Sequence, residues 1–214
     1  MAQTRIPTAL GTEGIGKLLM QYALPAIIAM TAASLYNIID SIFIGHGVGP
    51  LALSGLGITF PLMNLTTAFG TLVGVGASTL MSVRLGQKDY ESARIILGNV
   101  ITMNFILGIS LTVLGLIFLD PILIFFGASS RTLPYAHSFM SVLLCGNLVT
   151  HMYFGMNALL RSSGFPKKAM YATIGSVLIN IVLNPFFIFG LKLGIRGSAL
   201  ATVISQVTMM CWQI

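Results

Sequence analysis

Charged residues are scarce in this chain: Lys, Arg, Asp and Glu together make up 7 % of its 214 residues. A soluble domain carries about 25 % charged residues, whereas here hydrophobic residues reach 56 % and the mean hydropathy is +0.93. So few charges cannot cover a surface that faces water, which excludes a soluble globular domain and indicates a polytopic membrane protein. The net charge of +6 does not indicate a nucleic-acid partner, because basic residues of membrane proteins gather in the loops on one side of the bilayer.

Cysteine and catalytic motifs are also scarce. The two cysteines, Cys145 and Cys211, lie inside apolar segments without the spacing of metal ligands, which favours packing over redox or metal chemistry. The sequence has no phosphate-binding glycine loop, no cluster of metal-ligating residues and no recognisable pair of nucleophile and base. These absences argue against an enzyme and predict no cofactor, so a transporter built from this chain would take its energy from an ion gradient.

Long apolar runs dominate the rest of the sequence. Six runs each reach the roughly 20 residues that a spanning helix needs, which predicts an all-α membrane protein with six transmembrane helices. The sixth run continues to Ile214 with no polar flank, so we expect the chain to be the N-terminal portion of a longer protein. The predicted spans cover residues 18–44, 51–83, 95–119, 135–160, 169–191 and 196–214.

The distribution of basic residues sets the expected orientation. With six spans, one side of the membrane holds the N-terminal tail and the loops after the second and fourth spans, and this side carries eight of the eleven Lys and Arg residues. Because cytoplasmic loops are enriched in Lys and Arg, we expect a cytoplasmic N-terminus. The eight are Arg5, Lys17, Arg84, Lys88, Arg94, Arg161, Lys167 and Lys168, and the other three are Arg131, Lys192 and Arg196.

Two rows of polar side chains follow the helical repeat in the last two spans. Their members are separated by steps that put each row on one side of an α-helix. Amides that face lipid are costly, so we expect both rows to face protein or a water-filled cavity. The first row consists of Thr173, Ser176, Asn180 and Asn184, and the second of Ser198, Thr202, Ser205 and Gln206.

Asp40 is the carboxylate that lies deep in an apolar run. Such an acid costs about 2.5–3.5 kcal/mol at a helix centre and usually marks an ion or proton pathway. Counting residues from the helix ends puts Asp40, Asn184 and Thr202 about 8–10 Å from the same membrane face, which predicts one shared ion-coupling site that includes Asn180. The alternatives are an interfacial acid that reaches water and, for the amides and hydroxyl, ordinary interhelical hydrogen bonding.

Further polar residues extend the predicted site. Tyr36 and Asn37 lie one turn before Asp40 and are predicted to line the same cavity, although a polar pair at a helix seam is an equally open interpretation. The predicted substrate cavity also includes Ser176, Gln206 and Asn157.

Other features of the helices carry two interpretations each. Pro25 interrupts the first span and predicts either a movable hinge or a static bend. His151 in the fourth span suits either a proton relay or a hydrogen-bonded packing role. In the second span, Gly70 and Gly74 have the spacing of a close helix contact, a pattern that is also common by chance.

Three stretches resemble the multidrug and toxic compound extrusion (MATE) transporters. Residues 24–58 look like the first-helix signature of that family, with its proline, acidic residue and glycine turn: LPAIIAMTAASLYNIIDSIFIGHGVGPLALSGLGI. Residues 76–99 resemble the family's helix 2–3 loop, and residues 161–206 are similar to its helix 4–6 signature. The resemblance implies that this chain is the N-terminal six-helix lobe of a transporter with twelve helices, and that the C-terminal lobe is absent from it.

The resemblance also implies secondary antiport, in which a cationic amphipathic drug or toxin leaves while a proton or Na⁺ enters. In the family, the acid that matches Asp40 is the coupling residue, the positions that match Asn180, Asn184 and Thr202 surround it, and the proline that matches Pro25 bends the first helix. The expected location is a prokaryotic plasma membrane. The expected partners are drug-like cations, the bilayer and the missing C-terminal lobe, with no nucleic acid.

Asn184 departs from the family pattern, because many members carry an aspartate there. The change removes one negative charge from a possible Na⁺ site at Asp40, Asn180 and Asn184, and hard cations prefer charged oxygen ligands. We therefore expect proton coupling rather than Na⁺ coupling. Two other functions stay open: a lipid-linked oligosaccharide flippase of the same superfamily, and an inactive membrane fragment that lacks the C-terminal lobe.

Overall fold

The computed structural model describes residues 14–213, and within that range the chain forms α-helices joined by short turns, with no β-strand. Arg5 and Ile214, which enter the predicted orientation and the predicted sixth span, lie outside the described residues. The helices are α1 (Ile15–Gly47), α2 (Pro50–Gly86), α3 (Tyr90–Ile117), α4 (Leu119–Phe125), α5 (Leu133–Cys145), α6 (Asn147–Ser162), α7 (Pro166–Pro185) and α8 (Ile195–Gln213).

The helix starts follow from residues that suit them. Pro50 and Pro166 open α2 and α7, where a residue without a backbone N–H costs nothing. Asp89 precedes α3 and accepts a hydrogen bond from the backbone N–H of Ser92 at 3.1 Å, which caps the helix. The turn between α1 and α2 passes through Gly49 at φ 113°, a backbone conformation that favours glycine.

Four of the described helices are long and apolar enough to cross a membrane: α1, α2, α3, and α7 together with its continuation to Gly190. A fifth span results if α5 and α6, which meet at an angle of 58°, are taken as one broken span. The sequence predicted six spans, and the sixth corresponds to α8, which is not among these helices. Its row of serine, threonine and glutamine side chains lowers its hydropathy, so the sixth span stays a prediction.

The predicted fourth span differs from the structure in one respect: it is not a single helix. The chain breaks at Gly146 between α5 and α6. A branched side chain of α8, Val203, packs directly against Gly146, so that a side chain at this position would collide with it. The Thr112 hydroxyl of α3 donates a 2.8 Å hydrogen bond to the carbonyl oxygen of Leu144, just before the break. This bond supplies a partner at the point where the regular helical hydrogen bonding stops.

Two smaller differences concern helix ends. The predicted turn region after the third span contains α4, which packs Leu119 and Leu123 into a buried cluster with α2 and α5. At its C-terminal end, α7 continues as a π-helical turn from Phe186 to Gly190. Gly47, at the end of α1, packs against this turn at Ile188 and Phe189, so the ends of α1 and α7 are held together.

α6 lies at the centre of the packing, since it contacts α2, α3, α7 and α8. α1 stands to one side and packs mainly against α7. Most large hydrophobic side chains of α1, α2 and α3 are exposed, as expected of helices whose outer surfaces face lipid. The interior combines small residues and polar side chains with large apolar ones such as Phe139, Met140 and Leu144, so both hydrogen bonding and apolar packing hold the helix seams together.

Candidate functional site

Asp40 joins three helices at one point. It lies on α1 with 5 % of its surface exposed, and its Oδ1 atom accepts hydrogen bonds from Nδ2 of Asn184 on α7 and from Oγ of Ser198 on α8. Both donors are fully buried. Burial of a carboxylate in an apolar protein requires such donors, because an unpaired buried charge is far more costly than a buried hydrogen-bonded one.

A second layer of hydrogen bonds lies one turn away and centres on Thr202 of α8. The Thr202 hydroxyl donates to the carbonyl oxygen of Ser198 at 3.2 Å, while Asn180 Nδ2 of α7 donates to Thr202 Oγ1 at 3.2 Å. Tyr36 of α1 lies 2.6 Å from the same hydroxyl oxygen. Since the Thr202 proton is used for Ser198, the Tyr36 hydroxyl is the donor in this contact. The same three helices therefore meet twice, at Asp40 and at Thr202.

The polar contacts continue along α8 beyond Thr202. Ser176 of α7 donates to Ser205 Oγ at 3.3 Å, and Ser205 in turn donates to the carbonyl oxygen of Thr202 at 2.8 Å. One residue further, Gln206 Oε1 accepts a 2.6 Å hydrogen bond from Thr150 of α6. We call this series of contacts the polar column. Its members are Tyr36, Asp40, Thr150, Ser176, Asn180, Asn184, Ser198, Thr202, Ser205 and Gln206.

Three of the predicted site residues lie outside the polar column. Asn37 is exposed, and its amide donates to the carbonyl oxygen of Ala33 in its own helix at 3.0 Å. Asn157 is buried between α6 and α7, where its amide donates to the carbonyl oxygen of Ala169 at 3.0 Å. Pro25 lies inside α1, which runs without a break from Ile15 to Gly47. Nothing in these contacts brings the three residues to Asp40.

Asn37 lines a separate crevice of about 580 Å³ between α1 and α2. The crevice walls are largely apolar, and Ser41 and His46 are its other polar members. Because residues 36 and 37 point about 100° apart on a helix, Tyr36 faces α8 while Asn37 faces this crevice. Proximity to Asp40 in the sequence therefore does not bring Asn37 into the polar column.

Ser198 is the direct partner of Asp40 that the sequence analysis does not assign to ion coupling. It is fully buried and bonded directly to Asp40. The signal was present, because Ser198 stands one turn before Thr202 in the polar row of α8 and so shares its face. A serine in an apolar helix often bonds its own backbone instead, which is why the residue type alone did not point to the carboxylate.

Asp40 has no basic partner among residues 14–213. Arg84 lies 3.6 Å from Asp89, and His137 Nδ1 lies 2.6 Å from Asp120 Oδ1; both contacts lie near helix ends and away from Asp40. One further polar atom next to Asp40 is unsatisfied: Oδ1 of Asn184 is buried and has no hydrogen-bond partner among the described residues. The site thus combines one ionisable carboxyl group with a neighbouring amide oxygen that has no hydrogen-bond partner among the described residues. This combination can take up or release a single positive charge.

The fold and the polar column define a multi-pass, all-helical membrane protein whose buried ionisable group is surrounded by neutral hydrogen-bonding side chains. The MatE family model matches residues 25–186, which is most of the chain and includes Asp40, Asn180 and Asn184. The chain therefore belongs to the MatE family of multidrug and toxic compound extrusion transporters, as the resemblance implied.

Curated relatives and solved structures agree with this assignment. The chain is 34 % identical over 194 residues to the multidrug export protein MepA of Staphylococcus haemolyticus, covering 91 % of this chain and 43 % of the relative. It is 31 % identical over 191 residues to MepA of Staphylococcus aureus, covering 89 % and 42 %. The chain spans less than half the length of these relatives, consistent with one lobe.

Among solved structures, a MATE transporter in a bent conformation superposes with a TM-score of 0.86 at 31 % identity, covering 92 % of this chain and 44 % of the other. A multidrug resistance MATE family transporter in an outward-facing conformation superposes with a TM-score of 0.85 at 31 % identity, covering 91 % and 43 %. The similarity extends over 43–44 % of each solved chain, which confirms the expected all-helical fold of one transporter lobe. MATE proteins are transporters, so the chain is not expected to be an enzyme, as predicted.

Proposed function

We propose that this chain forms the N-terminal lobe of a secondary antiporter that exports cationic amphipathic compounds in exchange for protons, with Asp40 as the coupling residue. The observation that carries the proposal is the junction at Asp40, where one buried carboxylate oxygen accepts hydrogen bonds from two different helices. The names of the curated relatives support multidrug export as the transport class.

The neighbourhood of Asp40 suits a proton in a specific way. Asn184 Nδ2 already donates to Asp40 Oδ1, and Asn184 Oδ1 is a buried acceptor without a partner among the described residues. A protonated carboxyl group gains an O–H donor, which Asn184 Oδ1 can accept. The acid and the amide would then form a ring of two hydrogen bonds, so protonation satisfies an atom that the charged state leaves unsatisfied.

Na⁺ fits the same residues less well. A hard cation needs several oxygen ligands, preferably charged ones, and Asp40 supplies the only carboxylate among the polar column residues. Asn180 directs its amide nitrogen to Thr202, and Ser198 directs its proton to Asp40. Asn184 Oδ1 is the fully buried oxygen next to the carboxylate that has no hydrogen-bond partner among the described residues. We therefore favour H⁺ as the coupling ion, and the expectation of H⁺ over Na⁺ remains part of the proposal.

The release of substrate would follow from a change in α1. Deprotonated Asp40 attracts a cation, while protonation from outside removes the charge and lowers the affinity for the cation. Pro25 leaves α1 without one backbone hydrogen bond, which would let the helix bend there. Two solved MATE structures, one in a bent and one in a straight conformation, are both similar to this chain. The predicted cavity residues Tyr36, Asn37, Ser176, Gln206 and Asn157 stay predictions for substrate contact.

The test is ethidium efflux from bacterial cells that express the complete open reading frame, whatever its length. Asp40→Asn keeps the size of the side chain and one acceptor oxygen, but it replaces the other oxygen with an NH₂ donor and cannot be ionised. We therefore expect loss of efflux driven by an imposed pH gradient. Asp120→Asn is the matched control, because Asp120 is an exposed carboxylate at a helix end. Equal efflux by wild type and Asp40→Asn would refute the role of Asp40.

Separate imposition of a Na⁺ gradient distinguishes the ions. Efflux that needs Na⁺ and ignores the pH gradient would overturn proton coupling while leaving export intact. Absence of efflux in every variant, with normal amounts of protein in the membrane, would overturn export and favour the flippase or the inactive fragment. The proposed location is a prokaryotic plasma membrane with a cytoplasmic N-terminus, and the proposed partner is a C-terminal lobe that completes the central cavity.

A further inference from the structure

A second group of buried polar side chains lies outside the polar column, at the seam of α2, α3 and α6. Its members are Asn104 on α3 and Asn147 and His151 on α6, with 1 %, 3 % and 0 % of their surfaces exposed. None of them belongs to the contacts around Asp40. Buried polar groups in proteins are normally hydrogen-bonded, so a group of three at one seam requires an explanation.

The contacts bring these side chains to one stretch of α6. Asn147, His151 and Gly155 follow one another at intervals of four residues and therefore share a face of the helix. The His151 ring lies against Gly70 of α2, and the Asn104 amide lies against Gly155, where any side chain would collide with it. Two glycines thus make room for two polar groups. The three polar side chains lie within about two turns of α6.

Several polar atoms at this seam have no hydrogen-bond partner within the part of the chain that the structure describes. They are Nδ2 and Oδ1 of Asn104, Nδ2 of Asn147 and Nδ1 of His151. Exchanging the amide oxygen and nitrogen of Asn104 does not help, because both atoms lack a partner. These atoms point to a ligand that the protein itself does not supply.

The tautomer of His151 follows from its one hydrogen bond. Nε2 lies 3.1 Å from the carbonyl oxygen of Thr66, which can only accept, so Nε2 carries a proton. In the neutral ring, Nδ1 is then an acceptor. The unsatisfied atoms therefore comprise two amide donor groups, on Asn104 and Asn147, and two acceptors, Asn104 Oδ1 and His151 Nδ1.

This mixture of donors and acceptors selects the ligand. A metal cation would meet only two acceptor atoms, Asn104 Oδ1 and His151 Nδ1, beside two amide N–H groups that repel it, and an anion would face the lone pair of His151 Nδ1. Water both donates and accepts, and a buried water typically makes about three hydrogen bonds to such atoms. We propose that the seam of α2, α3 and α6 is an internal water-binding site formed by Asn104, Asn147 and His151.

The position of the site explains what the water does. Asn147 is the first residue of α6 after the break at Gly146, where the broken span bends by 58°. Non-helical backbone at membrane depth persists where it is buried in protein or lies next to water. Water bound at Asn147 and His151 lies beside the bend and, through Asn104, joins α6 to α3, so it stabilises the bent shape of the broken span.

The first experiment compares two asparagine substitutions on α3 in the purified product of the complete open reading frame in lipid nanodiscs. Asn104→Leu removes two partners of the water, whereas Asn99→Leu changes an exposed position of the same helix and serves as the matched control. With water bound, we expect the Tm of Asn104→Leu to fall below that of Asn99→Leu by roughly 2–10 °C. If no water is bound, we expect no fall or a rise in the Tm of Asn104→Leu, because replacing an unsatisfied amide with an apolar side chain of similar size is neutral or stabilising. An equal or higher Tm for Asn104→Leu therefore overturns the proposal.

The second experiment detects the water directly and does not depend on the variant folding. The chain has three histidines, so ¹⁵N-histidine labelling with His46→Gln and His137→Gln leaves the ring of His151 as the single signal. We expect magnetisation transfer from water to this ring, at a level that Asn104→Leu reduces where that variant folds. The chain with all three histidines provides the positive control, since His46 and His137 are exposed. Transfer to the exposed rings without transfer to His151 would overturn the proposal.

Discussion

Among the described glycines, Gly74 of α2 has the Cβ position nearest to the backbone of another helix, at Gly155 of α6, and this contact gives the sharpest prediction about stability. A Cβ atom on Gly74 would lie 2.8 Å from Cα of Gly155 and 3.1 Å from its carbonyl oxygen. Ordinary contacts of a Cβ atom begin at 3.4 Å. Both obstacles are backbone atoms, which cannot rotate away, so Gly74→Ala must push α2 and α6 apart by about 0.6 Å, the difference between 3.4 and 2.8 Å.

The magnitude follows from comparison with a neighbouring glycine. Overpacking of this kind costs typically about 1–3 kcal/mol, while alanine gains about 0.5–1 kcal/mol over glycine in a helix interior. Gly76→Ala, on the same helix, receives only the gain, because nothing lies within 4 Å of its Cβ position. The difference between the variants is then the overpacking cost, which corresponds to a Tm gap of roughly 2–12 °C for a chain of this size.

The assay is thermal unfolding of the wild type and both variants in the same detergent or nanodisc, followed by the loss of helical circular dichroism. We expect Gly76→Ala at or above the wild-type Tm and Gly74→Ala below it. Equal Tm values for the two alanine variants would show that α2 and α6 do not approach as closely as the structure has them, and would refute the reasoning from close backbone contact.

Two further predictions concern single hydrogen bonds. Hydrogen bonds from Ser92 hold the pKa of Asp89 below its ordinary value of 3.8. Asp89 therefore stabilises the folded chain at pH values above 3.8. This contribution disappears as the pH falls through the lower pKa of the folded state. The Tm of Asp89→Ala should therefore lie below that of the wild type at pH 7, and the gap should shrink near pH 3; a gap that is constant with pH would contradict the charged cap. Asn157→Leu removes the 3.0 Å hydrogen bond to Ala169 that joins α6 to α7. We expect the free energy of unfolding, measured from the denaturant midpoint, to fall by about 1–2 kcal/mol. An unchanged midpoint would mean that this hydrogen bond does not stabilise the contact between α6 and α7.

Helix geometry applied to the sequence predicts that Asp40 and Asn184 are neighbours, because two constants of the α-helix fix where each side chain lies. The rise of 1.5 Å per residue fixes the depth of each side chain, and the helical repeat fixes which side it faces. Residues that agree in depth and share polar character become neighbours, and the contact from Asn184 to Asp40 follows. Thr202 and Asn180 meet for the same reason, 3.2 Å apart.

Helix geometry gives a wrong neighbour where the direction in which a side chain points around the helix axis is left out. The sequence predicts that Asn37 and Tyr36 line one cavity. One residue turns a helix by about 100°, however, and in the structure the two side chains face different neighbours. The break at Gly146 was missed because a hydropathy pattern counts apolar residues and is blind to backbone direction. The close packing of Val203 that accompanies the bend comes from another helix, and no local sequence signal reports it.

Glycine shows the limit of motif reasoning in a similar way. The Gly70 and Gly74 spacing predicted a close helix contact, and both glycines do pack tightly, against His151 and Gly155 of α6. Gly76, two residues later, faces open space. The sequence offers no way to rank these three glycines, because the partner surface and not the spacing decides which of them must lack a side chain.

The junction at Asp40 has a consequence for how the lobe can change shape. Asn184 and Ser198 come from different helices, yet both donate to the same carboxylate oxygen. Because the two donors share one acceptor atom, a change of charge on Asp40 alters the contact of α1 with α7 and its contact with α8 at the same time.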